Sequence, residues 1–246
     1  FYLFTLIFMS TNPTVQQKCN PWFGISMMLL GLIVGYGLAL YFGGDFLPSK
    51  QPAPNQPQAQ DQQAPELADL VPYDKNVDYA FGTPDAKVIL IEYSDIECPF
   101  CKRHHPVTKQ LVADYGEDLA LVLRHFPLNN HPNAKPSAEA AECVGSIAGA
   151  AKYWEFIDIL FDKGPSVANH LSYALEIGID ENEFTTCVEN KTFEERVQRQ
   201  LSEGAAAGVR GTPGNFVYNT ETKESVYVSG AQPIDKFKAV IDEMLK

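Results

Sequence analysis

The sequence predicts an α/β domain that is preceded by one transmembrane helix and a disordered linker. Three observations predict this class: an uncharged apolar run over residues 22–43, a Pro- and Gln-rich stretch after it, and strand-like and helix-like patterns that alternate towards the C-terminus. The chain has 246 residues, of which 45% are hydrophobic, so it can bury a sizeable core. Its formal net charge of −12 argues against a nucleic-acid ligand, because phosphate backbones require a cationic surface.

The apolar run over residues 22–43 predicts a membrane-spanning helix. About 20 apolar residues cross the hydrocarbon core of a bilayer as a helix, and aromatic residues flank this run at both ends, as interfacial anchors do. Lys18 before the run and Asp45 after it favour a cytoplasmic N-terminus and an extracytoplasmic C-terminal domain. A cleavable signal peptide is the alternative, although the run is longer than a typical signal core. Residues 1–21 form an N-terminal segment in which Met9 is a candidate true start.

The composition of residues 44–72 predicts a linker, since Pro, Gln and Ala dominate and cannot bury enough surface to offset the entropy of ordering. The working domain is therefore expected over residues 73–246. A β-branched and aliphatic run predicts its first strand over 87–93. Pro99 begins a helix that is predicted to end at Tyr115, since the N–H that proline lacks would have no partner at the first helical position. The next strand is predicted over 119–126. These elements form a β-α-β unit.

The rest of the domain is predicted to be helical first and mixed afterwards. Apolar stripes and alanine-rich segments predict helices over 134–151, 153–161, 171–178, 181–189 and 193–207. Alternating patterns predict hairpin strands over 215–218 and 225–228, followed by a helix over 234–245. A helical insertion at about residues 132–190 therefore interrupts the α/β order.

The motif Cys98-Pro99-Phe100-Cys101 lies where the first predicted strand ends and the helix begins. A helix N-terminus stabilises a thiolate, because its N–H groups and its dipole favour negative charge. Two intervening residues bring both sulfurs within one helical turn. The motif therefore predicts a redox pair in which Cys98, at the exposed end, exchanges with a partner disulfide and Cys101, one turn in, resolves the mixed disulfide.

Zinc binding is the alternative interpretation of a close cysteine pair. The nearest further ligands are His104 and His105, but one short helical run cannot easily surround a tetrahedral ion. We therefore predict no metal site. We expect both histidines, together with Lys102 and Arg103, to lie on the solvated surface of the helix.

Two motifs carry a resemblance to a known family. The stretch IEYSDIECPFC, residues 91–101, resembles the active-site strand and helix of the thioredoxin superfamily, and specifically of its DsbA-like thiol–disulfide oxidoreductases. Gly211-Thr212-Pro213, just before a predicted strand, resembles the cis-proline loop of that superfamily. The resemblance covers residues 73–246 and implies a thioredoxin-like fold in which Thr212 and Pro213 bind the backbone of a substrate peptide. An ordinary trans-proline turn is the alternative, and Gly214 departs from the β-prone residue that often follows this proline.

The resemblance also implies a buried acid at Glu92 that exchanges a proton with Cys101, since a carboxyl in a dry environment titrates higher than in water. A solvent-facing position at a sheet edge is the alternative. Asp95 and Glu97 are expected in the following loop, where they modestly disfavour the thiolate.

Pro99 and Phe100 are expected to support the cysteine pair. Strongly oxidising relatives carry a histidine at the position of Phe100, and phenylalanine can neither carry a charge nor donate a hydrogen bond. We therefore predict a potential that is less oxidising than the value of about −120 mV for DsbA.

Related DsbA-like proteins often carry a second cysteine pair in the helical insertion, which implies a structural disulfide between Cys143 and Cys187. Two buried free thiols are the alternative. Cys19 would remain a lone thiol beside the apolar run.

We therefore expect a membrane-anchored, single-pass thiol–disulfide oxidoreductase that donates disulfides to exported proteins through Cys98 and Cys101. It would need no cofactor besides this cysteine pair, and the resemblance implies an integral-membrane, quinone-linked partner that reoxidises it. A reductase or isomerase of the same fold is one alternative. A non-enzymatic, membrane-tethered module that binds peptides or zinc is another.

Overall fold

A computed structural model describes residues 70–246 of the chain. The predictions for the N-terminal segment, the transmembrane helix over 22–43 and nearly all of the linker over 44–72 lie outside the described residues. Within the part that the structure describes, no helix is both long enough and apolar enough to cross a membrane.

Five strands and six α-helices make up this part of the chain. The strands are β1 (Ala80–Gly82), β2 (Val88–Ser94), β3 (Leu119–His125), β4 (Gly214–Asn219) and β5 (Ser225–Ser229). The helices are α1 (Pro99–Tyr115), α2 (Ala134–Lys163), α3 (His170–Glu176), α4 (Glu181–Glu189), α5 (Glu194–Ala206) and α6 (Ile234–Met244). The predicted α/β class and the helical block between β3 and α5 are confirmed.

The strands form one sheet in the order β1-β3-β2-β4-β5. β2 runs parallel to β3 and antiparallel to β4, while β1 and β5 pair antiparallel at the two edges. Every residue of β2, β3 and β4 is buried, as the continuous apolar pattern of the two predicted strands requires for a sheet covered on both faces.

Alternate residues of β2 face two separate apolar clusters. Val88 and Leu90 pack with the cluster that contains α1, α2 and α6, whereas Ile89 and Ile91 pack with the cluster beside the end of α5. Because side chains alternate across a strand, Glu92 lies on the same face as Leu90, towards α1.

Two elements differ from the prediction. The strand β1 was not predicted, because three residues are too few to show an alternating pattern; it is held by pairing with β3, with Ala80 opposite Val122. The two helices predicted over 134–151 and 153–161 are present within α2, but they meet at a kink at Gly149, a few residues before the predicted boundary. The φ of +81° at Gly149 lies in the left-handed region that favours glycine.

The segment before β1 is fastened to the sheet by a buried ion pair. Arg124 in β3 donates to Asp78 through both Nε and Nη2, at 3.1 and 2.9 Å, and both side chains are almost completely buried. Arg124 also donates to the carbonyls of Val71 and Pro72. These contacts satisfy a buried guanidinium that would otherwise be costly to desolvate.

A disulfide between Cys143 and Cys187 joins α2 to α4 within the helical insertion. The cysteines are 44 residues apart in the sequence, so the bond closes a long loop. Such a loop restricts the unfolded chain, which stabilises the folded state by about 4 kcal/mol in the chain-entropy account.

We predict that the Cys143→Ala/Cys187→Ala variant lowers the free energy of unfolding by about 2–5 kcal/mol. Urea unfolding measures this in a Cys98→Ser/Cys101→Ser background, in which the other two described cysteines cannot contribute. Reductant should bring the background protein to the stability of the variant and leave the variant unchanged. Equal stabilities before reduction would contradict a stabilising cross-link.

Candidate active site

The cysteine pair lies at the junction between β2 and α1. Cys98 is the N-cap of α1 with extended backbone angles, and Pro99 is the first helical residue. Cys101 is completely buried, and Cys98 is only 4% exposed. The expectation that Cys98 lies at an exposed cap is therefore wrong, because the loop that carries Thr212 packs against it.

The Thr212–Pro213 peptide bond is cis. The sulfur of Cys98 lies 3.6 Å from the backbone oxygen of Thr212, although the two residues are 114 positions apart in the sequence. Pro213 leads directly into β4, whose first residue, Gly214, pairs with Tyr93 at the end of β2. The sheet therefore brings the loop with Thr212 and Pro213 against the cysteine pair.

The Cys98 thiol is a strong acid for a thiol. A hydrogen bond from the side chain of Cys101 is the largest influence, and it lowers the pKa of Cys98, while burial opposes it. The Thr212 side chain and the backbone N–H groups of Cys101 and Phe100 lower the pKa further, to about 5. Cys98 is therefore a thiolate at neutral pH, as expected of a cysteine at a helix N-terminus.

The Cys101 thiol is a weaker acid than an ordinary thiol. Burial raises the pKa of Cys101 far above its ordinary value, and the hydrogen bond to Cys98 and the charge of Glu92 raise it further. Glu92 lies in the centre of the sheet and is 1% exposed, so the alternative of a solvent-facing edge is wrong. Neither carboxylate oxygen of Glu92 has a hydrogen-bond partner among residues 70–246. The site therefore contains one ionised and one protonated thiol beside a buried acid.

The loop between β2 and α1 is organised by a buried carboxylate. Oδ1 of Asp95 accepts the backbone N–H groups of Glu97 and Cys98 at 2.7 and 3.1 Å. Oδ2 accepts the backbone N–H of Leu128 at 2.7 Å and lies 2.9 Å from Nδ1 of His131. Asp95 is thus in the predicted loop, but its main role is to join this loop to the one after β3.

Glu97 makes a second connection between the same two loops. Its carboxylate accepts the backbone N–H and the side-chain amide of Asn133, at 2.7 and 3.1 Å. The carboxylates of Asp95 and Glu97 therefore accept hydrogen bonds from backbone and side-chain donors of both loops.

The expectation that His104 and His105 lie on the surface is wrong, since both are buried. His104 packs 5.0 Å from the ring of Phe237 in α6, and its Nε2 lies 3.1 Å from Oδ1 of Asn215 in β4. The Asn215 amide already donates to two carbonyls, so its oxygen accepts and His104 donates. This bond ties the helix of the cysteine pair to the strand that follows Pro213.

His105 faces the helical insertion instead. Its ring lies between Trp154 and Phe161 of α2, and its Nε2 is 2.6 Å from Asp158. The helix α1 is covered by α2 and α6, which a pattern within α1 alone does not show. Within residues 70–246, no group of three or more His, Cys, Asp or Glu side chains has an arrangement that could hold a metal ion.

Phe100 is the exposed member of the motif. It is 53% exposed, and the guanidinium of Arg103 lies 4.7 Å from the centre of its ring. An exposed aromatic side chain next to a reactive sulfur offers apolar contact area to a bound peptide.

His131 is close enough to Cys98 to feel its charge, and it was not among the predicted site residues. A signal exists: His131 follows the end of β3, and β3 lies parallel to the strand that leads into Cys98. Loops at the carboxyl ends of neighbouring parallel strands meet at one edge of a sheet.

The fold and the site define a thioredoxin-like α/β domain with a redox-type cysteine pair opposite a cis-proline. The family model described as "Thioredoxin" matches residues 74–243, and the chain belongs to this family. The fold is similar to the crystal structure of Pseudomonas aeruginosa DsbA2, with 25% sequence identity and a TM-score of 0.59 over 71% of this chain and 96% of that one. Wolbachia pipientis alpha-DsbA1 has 20% identity and a TM-score of 0.60 over 71% and 93% of the two chains.

Curated relatives share sequence with part of this chain. A protein named Na(+)/H(+) antiporter NhaA from Herminiimonas arsenicoxydans is 32% identical over 148 residues, which is 59% of this chain and 23% of that protein. One from Salinispora tropica is 31% identical over 171 residues, or 65% of this chain and 26% of that protein. The chain therefore spans about a quarter of the length of these relatives.

We predict that iodoacetamide alkylates Cys98 in the reduced protein with a midpoint at a pH of about 5, while Cys101 does not react. The Cys101→Ala variant should shift this midpoint upwards, since the Cys101 side chain is the largest influence on the pKa of Cys98. Mass spectrometry of the alkylated peptide gives both midpoints. A midpoint near the ordinary thiol value of about 8.5 would contradict the thiolate assignment.

Proposed function

We propose that this protein is a thiol–disulfide oxidoreductase that donates disulfides to cysteine-containing exported proteins through Cys98 and Cys101. The observation that carries the proposal is the position of Cys98 at the N-terminus of α1, with the cis Thr212–Pro213 loop 3.6 Å from its sulfur. The lowered pKa of Cys98 and the raised pKa of Cys101 agree with this geometry. A stabilised thiolate favours the reduced state of the pair, and a protein whose reduced state is favoured is an oxidant.

Donation would take two exchange steps. A substrate thiolate attacks the Cys98 sulfur of the Cys98–Cys101 disulfide, the sulfur–sulfur bond breaks, and Cys101 leaves and takes up a proton. A second substrate thiolate then attacks the substrate sulfur of the mixed disulfide, which releases the oxidised substrate and Cys98 as a thiolate. The low pKa of Cys98 favours this release, because a weaker base is a better leaving group.

Thr212 and Pro213 would hold the substrate backbone beside Cys98. Because proline has no N–H, no strand of this protein can pair fully with the loop at that point. The edge of the loop is therefore open, and an extended peptide can add main-chain hydrogen bonds to it. Phe100, which is two residues after Cys98 and exposed, would contribute apolar contact area.

Glu92 would supply and accept the proton of Cys101. Its carboxylate is buried on the α1 side of β2 and raises the pKa of Cys101, which places it within electrostatic reach of that thiol. Solvent cannot readily take this role, because Cys101 is completely buried.

The membrane anchor over 22–43, the extracytoplasmic location and the quinone-linked partner are parts of the same proposal. The anchor and the location are supported by the uncharged apolar run and by the tether-like composition of residues 44–72, whereas the quinone-linked partner is implied only by the resemblance to DsbA-like proteins. An oxidising compartment would allow a disulfide donor to persist in its oxidised form. The antiporter activity named for the curated relatives is not proposed for this chain, which spans only a quarter of their length.

We predict that the oxidised protein converts a reduced dithiol peptide to its disulfide, and that its reduction potential lies between about −120 and −180 mV. The potential is measured by equilibration with glutathione. Cys98→Ser and Cys101→Ala should both abolish turnover, because neither variant can form the Cys98–Cys101 disulfide that is donated to the peptide. A potential near −270 mV would favour a reductase, and unchanged turnover in Cys98→Ser would favour a non-enzymatic module.

We predict that Glu92→Gln slows peptide oxidation by about 100-fold at neutral pH, because general acid–base catalysis is typically worth that much. Stopped-flow fluorescence with a reduced peptide measures the rate. Glu221→Gln is the matched control, since Glu221 is an exposed acid in the turn after β4, beside Lys87, the residue before β2. Equal rates for the wild type and Glu92→Gln would remove Glu92 from the proton path.

A further inference from the structure

Neither of the two residues between the cysteines carries a positive charge. Phe100 is uncharged, and the side chains that follow it are engaged elsewhere: Lys102 donates to the carbonyl of Asp162, and Arg103 stacks on Phe100. A thiolate in a partly dry environment is nevertheless favoured by a nearby positive charge. The hydrogen bonds from Cys101, Thr212 and the backbone already lower the pKa of Cys98, and any positive charge that adds to them has to come from another part of the fold.

Asp95 links His131 to the backbone N–H of Cys98. One carboxylate binds both groups: Oδ1 accepts the backbone N–H of Cys98, and Oδ2 pairs with Nδ1 of His131. The two groups therefore lie on either side of a single side chain, whose own exposure is 0%. The His131 side chain is 18% exposed, so its second nitrogen can exchange protons with solvent.

The charges around His131 favour its protonated form. Partial burial lowers the pKa of His131, but the hydrogen bond with Asp95 and the charges of Asp95, Cys98 and Glu97 raise it above its ordinary value. Two further titratable groups belong to the surroundings of Cys98. Cys101 influences Cys98 directly, and Glu92 influences Cys101.

We propose that His131, protonated and paired with Asp95, supplies the positive charge that stabilises the Cys98 thiolate in place of a histidine between the two cysteines. His131 is a positioning residue that acts through its charge, and this role rests on the proposed redox function. Nδ1 donates to Asp95 in both the charged and the Nδ1-protonated neutral form, so loss of the Nε2 proton changes the charge without breaking the bond. The oxidising strength of the pair would then decrease as the pH rises through the titration of His131.

The first test uses the unmodified protein. Thermodynamic linkage requires that, if His131 stabilises the Cys98 thiolate, the thiolate stabilises protonated His131 by the same free energy. The imidazole resonances of His131, followed by NMR from pH 5 to 9, should therefore titrate at a higher pH in the reduced than in the oxidised protein. Identical titrations in the two redox states would overturn the proposal.

The second test uses charge variants. His131→Gln should raise the pKa of Cys98, measured by thiolate absorbance, by about one unit. It should also shift the glutathione equilibrium about tenfold towards the oxidised protein, which is about 30 mV for this two-electron couple. His131→Lys should keep the Cys98 pKa close to that of the wild type.

Lys75→Gln is the matched control, because it removes the same charge from an exposed pair with Asp85. If His131→Gln and Lys75→Gln give the same Cys98 titration, or if His131→Lys shifts it as far as His131→Gln, the charge of His131 is not the cause. These readouts do not depend on turnover. An oxidised protein that fails to oxidise peptides would overturn the proposed function and leave the linkage result intact.

Discussion

The position of β2 between β3 and β4 is the constraint on which the site depends. β3 is parallel to β2, so the loop after β3 reaches the same edge of the sheet as the loop that leads into α1. β4 is antiparallel to β2, so the loop before β4 reaches this edge as well. Three segments far apart in the sequence therefore meet at Cys98 without any long excursion of the chain.

Within that meeting point, the buried charge of Asp95 determines the local geometry. A carboxylate removed from water is expensive unless its oxygens are satisfied, and here four N–H groups from two loops satisfy it. The same bonds hold the backbone at Cys98 and bring His131 to the site. The acid that fixes the geometry would by itself disfavour a neighbouring thiolate, and in the role that we propose for His131 its charge offsets this effect.

Much of this arrangement could be predicted from the sequence because it depends on local signals. The run over 87–93 and Pro99 defined β2 and the start of α1 within one residue of their observed bounds, and the CPFC motif identified the cysteine pair. The buried character of Glu92 followed only from a family resemblance, since one acid in an apolar strand is compatible with a buried or an edge position.

What could not be predicted depends on tertiary packing. His104 and His105 look like surface residues within their own helix, but α6 covers one and α2 covers the other. His131 comes close to Cys98 because β3 is the parallel neighbour of β2. The sequence of the loop alone does not indicate this strand order. β1 was missed for the same reason, since its three residues are strand only because β3 offers them an edge.

If His131 has the role that we propose, the acidity of Cys98 depends on more than the two residues between the cysteines. Phe100 by itself indicates a weaker oxidant, because it removes the nearest possible cation. The contacts of Asp95 bring an ionisable ring to the site from a loop 36 positions away in sequence. A histidine in the loop after β3 differs in one respect from a histidine between the two cysteines. It pairs with Asp95, and the same carboxylate holds the backbone N–H of Cys98. Proton binding and loop geometry are then properties of one hydrogen-bonded unit, and the acidity of Cys98 depends on both.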